Sequence, residues 1–287
     1  MRQITTKRSR VPGKTVSGWF AAAILLLGSA GAASAQTPSD PNPGAITFTG
    51  NFDVPSVYFF RGIQQEVDPG FTMFPSGDIG IAFSKATLNF GVWNSLLTGS
   101  SGTDGPTGRL HYEEDWYTTL TLPFANGFAV GTTWTAYTSP NSMFSTVQEL
   151  SFKVSKSGKY APYGIIGFEL SDAGADGGTG KGTYLELGVG PSWPLGKATL
   201  AIPVKIGMSL NNYYELNGED NKFGFFDVGG LVTLPMSGVP SSFGSWNLHF
   251  GADYLALGET TKAFNVDSDG DPSSSQFIAL VGIGVSY

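Results

Sequence analysis

From Ala45 onward, apolar and polar residues alternate with a period of two, in one segment after another. Successive side chains of a strand point to opposite faces, so each such segment predicts a strand with one apolar face. Twelve segments are predicted, near 46–62, 77–84, 87–95, 110–122, 127–138, 146–155, 160–171, 183–193, 197–209, 223–234, 245–257 and 276–287. Most are close to the ~9–11 residues that a tilted strand needs to cross a bilayer. The last segment is the clearest. Phe277, Ala279, Val281, Ile283, Val285 and Tyr287 share one face, and Gln276, Gly282, Gly284 and Ser286 lie on the other. An apolar face, a small or polar face and a closing aromatic describe a strand of a transmembrane β-barrel at the lipid interface.

The connectors repeat a second pattern. Tight links at 84–86, 123–126, 156–159 and 194–196 alternate with longer polar, Gly-rich or acidic ones at 63–76, 96–109, 172–182, 210–222 and 258–275. Short periplasmic turns and long outer loops alternate in this way. Two links depart from it: 139–145 is short for an outer loop, and 235–244 is long for an inner turn. The fold class predicted is therefore all-β, a transmembrane antiparallel up-and-down β-barrel of about 12 strands.

Alternation alone does not say which face points outward, because a soluble barrel carries the same stripes with the apolar face inside. Composition decides. Charged residues are 14% of the chain, against about 25% in a typical soluble protein. Glycine is abundant at 40 residues, and aromatics number 21 Phe, 11 Tyr and 6 Trp. The polar stripe is built of Gly, Ala, Ser and Thr with isolated charges, too sparse for a solvated exterior.

The N-terminus adds a compartment. Arg2, Lys7, Arg8, Arg10 and Lys14 precede a short apolar run from Trp19 to Leu27, then Ala33-Ser34-Ala35. That order predicts a signal peptide over 1–35, cleaved after Ala35, then a leader over 36–44 and the barrel over 45–287. The location expected is the outer membrane. The signal peptide holds no acids, so the remaining chain carries 11 basic against 23 acidic residues. Such a balance repels nucleic acid and leaves lipid, lipopolysaccharide and small solutes as the expected partners. The closing strand with Tyr287 is expected to engage the barrel-assembly machinery. Without cysteine there is neither disulfide nor thiolate metal site. No cofactor and no metal are expected.

With the apolar face outward, candidate lumenal residues can be read strand by strand. They are Arg61, Asp78, Asp115, Glu149, Lys153, Glu169, Glu186, Lys205 and Asp227, accompanied by Asp53, His249 and Asp253. Arg61 is assigned to the first strand. Carboxylates outnumber cations, so the lumen should favour cations and neutral polar solutes. The competing reading is a network of charge pairs that plugs the barrel, since twelve strands fall between filled and open sizes. Tyr58, Trp116, Trp134, Trp193, Trp246, Tyr254 and Tyr287 are placed on outward registers as interface aromatics, with Trp93 and Tyr137 facing inward. The expectation is a passive channel rather than an enzyme. A non-conducting structural or adhesive barrel is the alternative. A lipid hydrolase or acyltransferase is a third reading, and it would use His111 near a rim with Glu113 beside it. Asp267-Ser-Asp269-Gly-Asp271 resembles a calcium-binding stretch but departs from an EF-hand loop; it reads as an acidic loop tip, with loose calcium coordination as the alternative.

Several local patterns also carry a family likeness. Val57-Tyr-Phe-Phe-Arg-Gly-Ile63, Glu113-Glu-Asp115-Trp-Tyr117, Glu149-Leu-Ser-Phe and Tyr184-Leu-Glu-Leu-Gly188 resemble segments of a Gram-negative outer-membrane family of unknown function, grouped as candidate TorF-type channels. The resemblance implies a twelve-stranded barrel with Arg61, Asp115 and Glu149 in its lumen. Thr118-Thr119 departs from the family, which more often has Ala-Gly there, as does the Pro-interrupted link between the tenth and eleventh strands.

Overall fold

The computed structural model describes residues 45–66, 68–103, 109–171, 174, 180–267 and 269–287. The signal peptide and leader lie outside them. The described chain forms a closed antiparallel barrel of twelve strands. These are β1 (Ile46–Pro55), β2 (Thr72–Ala82), β3 (Thr87–Leu97), β4 (His111–Pro123), β5 (Phe128–Thr138) and β6 (Val147–Lys156). They continue with β7 (Tyr163–Glu169), β8 (Thr183–Val189 and Ser192–Leu195), β9 (Ala198–Ala201 and Val204–Asn211), β10 (Phe223–Pro235), β11 (Ser245–Leu257) and β12 (Ser275–Ser286). Each strand pairs with its neighbours in sequence, and β12 pairs with β1 to close the ring. Closure leaves no free sheet edge, which is what allows strands to stand in hydrocarbon.

The outer face follows the predicted register. Phe52, Phe90, Leu120, Leu187, Phe250 and Phe277 are all exposed on it. So many large apolar groups around a whole circumference have no counterpart in a water-soluble surface and identify lipid as the solvent of this face. Trp116, Trp134, Trp193, Tyr254 and Tyr287 lie exposed on the same face, as predicted. β8 and β9 each break once, and the breaks flank Pro191 and Pro203, residues without an N–H for the ladder.

The first predicted strand is corrected. β1 stops at Pro55, and the chain then turns into the barrel instead of continuing outward to residue 62. Phe59–Phe60 and Ile63–Gln64 pair as a small hairpin. Its two turn residues, Arg61 (φ 45°) and Gly62 (φ 80°), both sit in the left-handed region that a tight two-residue turn demands. The backbone comes close to β10 here: a Cβ on Gly62 would meet the ring of Phe225. Tyr58, predicted on an outward register, is buried instead, packed against Phe74 and Trp93. Phe59, Phe60 and Ile63 face a second cluster with Tyr184, Tyr213, Tyr214 and Phe225. The second strand also begins earlier than its predicted start at 77, because Thr72 to Ser76 already pair with β3 or β1.

Candidate lumenal site

The hairpin is held by side chains from around the barrel wall. Arg61, at its tip, donates from Nη1 to Glu149 Oε2 at 2.6 Å and from Nη2 to Glu149 Oε1 at 2.8 Å. The same Nη1 lies 2.7 Å from the Tyr213 hydroxyl, and the guanidinium carbon lies 3.9 Å from the centre of the Tyr184 ring. A planar fork satisfies both oxygens of a carboxylate and still stacks on an aromatic face, which an ammonium does not do. The Tyr214 hydroxyl donates to the Arg61 carbonyl at 2.9 Å. Farther along, Tyr112 donates to Gln65 Oε1 at 3.0 Å, and Val266 N–H donates to Gln64 Oε1 at 2.9 Å. Strands and loops on several sides of the barrel therefore grip one short segment.

The nine candidate residues do not form one ring, and five of them, Arg61, Glu149, Glu186, Lys205 and Asp227, line one cavity. Arg61 arrives on the hairpin rather than on β1, and its partner is Glu149, not Asp115. Asp115 is fully buried beside Glu113. Glu113 takes the Tyr58 hydroxyl at 2.8 Å. Glu186 is satisfied by two tyrosines, Tyr163 at 2.8 Å and Tyr184 at 2.6 Å. Lys153 stands 4.9 Å from the centre of the Tyr163 ring. Lys205 pairs with Asp227 Oδ2 at 3.1 Å. Asp78 accepts from Asn89, and Glu169 accepts from the Gly182 N–H at 2.6 Å.

Two of the three accompanying residues, Asp53 and His249, meet at 2.6 Å, reaching across β12 at Gly282. A Cβ there would collide with both, so the glycine makes the close approach possible. His111 Nε2 lies 2.9 Å from Asn94 Oδ1. In the last outer loop the Asp267 carboxylate accepts the backbone N–H groups of Asp269 and Asp271 at 3.0 and 2.9 Å.

A cavity of about 120 Å³ remains beside the hairpin. Its lining mixes the charged Glu149, Glu186, Lys205, Asp227 and Asp253 with the apolar Phe59, Leu231, Leu255, Ile278 and Leu280. The apolar part is a second correction, because the sequence places only Gln276, Gly282, Gly284 and Ser286 on the inner face of β12. Ile278 and Leu280 share that register. The tyrosines that satisfy the carboxylates also went unrecognised as site residues. The spacing Tyr184-Leu-Glu186 puts two polar groups on one face and was the available signal.

No family model and no curated protein matches the chain. Among solved structures it is similar to the NanC porin, with TM-score 0.46, 10% identity and coverage of 84% of this chain and 99% of that one. The KdgM porin in complex with disordered oligogalacturonate has TM-score 0.43 and 8% identity over 84% of this chain and 99% of that one. Outer membrane phospholipase A from Escherichia coli has TM-score 0.44 and 10% identity over 83% of this chain and 95% of that one. Likeness at this level carries no argument about substrate or mechanism. It does correct the expectation that the chain is not an enzyme: barrels similar to it include a phospholipase, so the architecture is no ground for excluding catalysis. The lipid-facing belt, the closed ring and the polar interior define the class, an outer-membrane β-barrel with a channel-like lumen.

Proposed function

We propose that this barrel is a passive channel for small polar or cationic solutes, narrowed by its own first outer loop. The observation that carries the reading is the charge of the inner wall. Asp78, Asp115, Glu149, Glu169, Glu186 and Asp227 face the lumen against Arg61, Lys153 and Lys205. A lumen with such an excess attracts cations and disfavours anions. Charges placed on the lipid face would cost up to ~2–4 kcal/mol each at the midplane, so their collection inside also keeps the barrel in the membrane. The likeness to TorF-type candidate channels in the Arg61, Asp115 and Glu149 segments supports the same reading. In this reading lipopolysaccharide meets the outer aromatic belt, and β12 is the strand offered to the assembly machinery.

The hairpin modifies the reading without replacing it. A lumen occupied by Phe59–Gln64 passes little unless that segment shifts. The Arg61–Glu149 pair is then a latch as well as a lumenal charge. Planar-bilayer recording of the refolded chain under a potassium chloride gradient tests the proposal. Discrete steps with a cation-selective reversal potential are expected, shifted toward zero by Asp227→Asn. Anion selectivity would remove the electrostatic part. A folded barrel that stays silent even after release of the latch would favour a structural role.

A further inference from the structure

The two ends of the barrel carry opposite charge. The long connectors at 63–76, 96–109, 172–182, 210–222 and 258–275 hold twelve Asp or Glu against four Lys or Arg. At the short-turn end, 83–86, 123–127, 156–162, 190–203 and 235–244 hold Lys85, Lys156, Lys159 and Lys197 and not one Asp or Glu. Three of these lysines gather at one corner. Lys156 closes β6, Lys159 follows it in the turn to β7, and Lys197 lies in the turn between β8 and β9. The turns are fastened together, since the Lys159 carbonyl accepts the Ser192 N–H and the Tyr160 carbonyl accepts the Gly190 N–H at 2.9 Å. Lys85 stands apart, on the turn between β2 and β3.

The ammonium groups rest on aromatic rings. Lys156 Nζ lies 5.0 Å from the centre of the Phe128 ring, and Lys159 Nζ lies 5.8 Å from those of both Tyr160 and Trp193. All three rings are exposed. No carboxylate pairs with Lys156, Lys159 or Lys197 among the described residues. A ring attracts an ammonium through one face and leaves its other sides open to an anion. Aromatic rings at a barrel's ends sit at headgroup level, and lysine stems lie along apolar surface with the charge held there. Beside this corner the outer wall is aliphatic: Val154, two residues before Lys156 on the same face of β6, is exposed, as are Val189 and Leu195. A zwitterionic headgroup brings its own cation and gains little from three more. An anionic one gains from all of them.

We propose that the corner formed by Lys156, Lys159 and Lys197 is a binding site for an anionic phospholipid, its headgroup phosphate on the ammonium groups and its chains along Val154, Val189 and Leu195. The site lies on the outer wall, so it does not depend on whether the lumen conducts.

Tryptophan quenching by brominated lipid tests it. The full barrel is refolded into phosphatidylcholine nanodiscs containing a small, equal fraction of brominated phosphatidylglycerol or brominated phosphatidylcholine. Phosphatidylglycerol should quench in excess, with an enrichment of about fivefold or more, the factor contributed by one lysine near an anionic surface. High salt should shrink the excess. Trp193→Phe, which keeps the ring and removes the adjacent reporter, should reduce it. Lys156→Gln combined with Lys159→Gln and Lys197→Gln should abolish it, while Lys85→Gln and Arg109→Gln should each leave it intact. Folding of every variant is followed by its heat-dependent gel mobility. Inorganic phosphate at constant ionic strength should not displace the lipid; displacement would mean a site for free phosphate and overturn the proposal. Equal quenching by the two lipids would overturn it too, and would leave the lysines to a soluble acidic partner. Excess retained in the folded triple variant, or lost equally in Lys85→Gln, would show diffuse charge attraction in place of this site.

Discussion

Glu149 and Asp227 are both buried carboxylates on the same inner wall, and each is ion-paired to one cation. What is left over differs. The Arg61 fork occupies both oxygens of Glu149, whereas Lys205 occupies one oxygen of Asp227 and leaves the other open. Guanidinium and ammonium are therefore not interchangeable here. The filled carboxylate fixes a segment of chain. The half-filled one leaves a buried acceptor unpaired.

The comparison is broken most completely by Arg61→Ala. That change leaves Glu149 buried and unpaired, a loss of about 3–5 kcal/mol from the seat of the hairpin. Bilayer recordings should show a several-fold larger conductance, and residues near Arg61 should become cleavable by protease in an otherwise folded barrel. Conductance equal to wild type would show that the hairpin does not obstruct the lumen. Arg61→Lys should fall between, at a cost of about 1–3 kcal/mol, because it makes Glu149 resemble Asp227, with one oxygen open. Brief openings on top of the wild-type current are its expected signature.

Lys205→Arg sharpens the comparison from the other side. A fork at this position would reach the unpaired oxygen of Asp227, raising stability to urea by about 1 kcal/mol. Unchanged urea stability would mean that the fork does not reach it. The smallest effect concerns a third buried carboxylate, Glu66, in the first outer loop, which accepts the Thr72 hydroxyl at 2.6 Å. Burial raises its pKa above the usual carboxylate range. Its neutral form is thus favoured in the folded loop, so loop stability is greatest below the unfolded pKa and declines as pH rises through the raised one. Hydrogen exchange of the loop amides should show that decline, and Glu66→Gln should flatten it.

The barrel was legible because a period of two persists through each strand, and a single lipid-facing face forces it. β11 and β12 were placed almost residue for residue. The inward hairpin was not, for a physical reason: a strand and a hairpin packed inside a barrel share the same period and the same apolar residues. Only Pro55, which cannot donate to the ladder, and the Arg61-Gly62 pair marked the departure. Ile278 and Leu280 were overlooked because a lumen was assumed to be polar throughout. The choice of Glu149 over Asp115 as the partner of Arg61 depends on how far the hairpin reaches into the barrel, and strand order does not contain that distance. The acidic candidates follow from the alternation alone, since a charge opposite an apolar stripe has few places to go.

The Asp53–His249 contact across Gly282 bears on the order of events when the barrel forms. It joins β1 to β11 over the top of β12, so three strands share one fastening. No part of it can form until the ends of a loop some two hundred residues long have met. The entropy of that meeting grows only with the logarithm of loop length, but it falls due before the contacts that offset it exist. Eleven hairpin-like pairings can zip locally; the twelfth must wait. A bulkier residue at Gly282 would therefore act on time rather than on architecture, lengthening the life of an open, unsealed sheet.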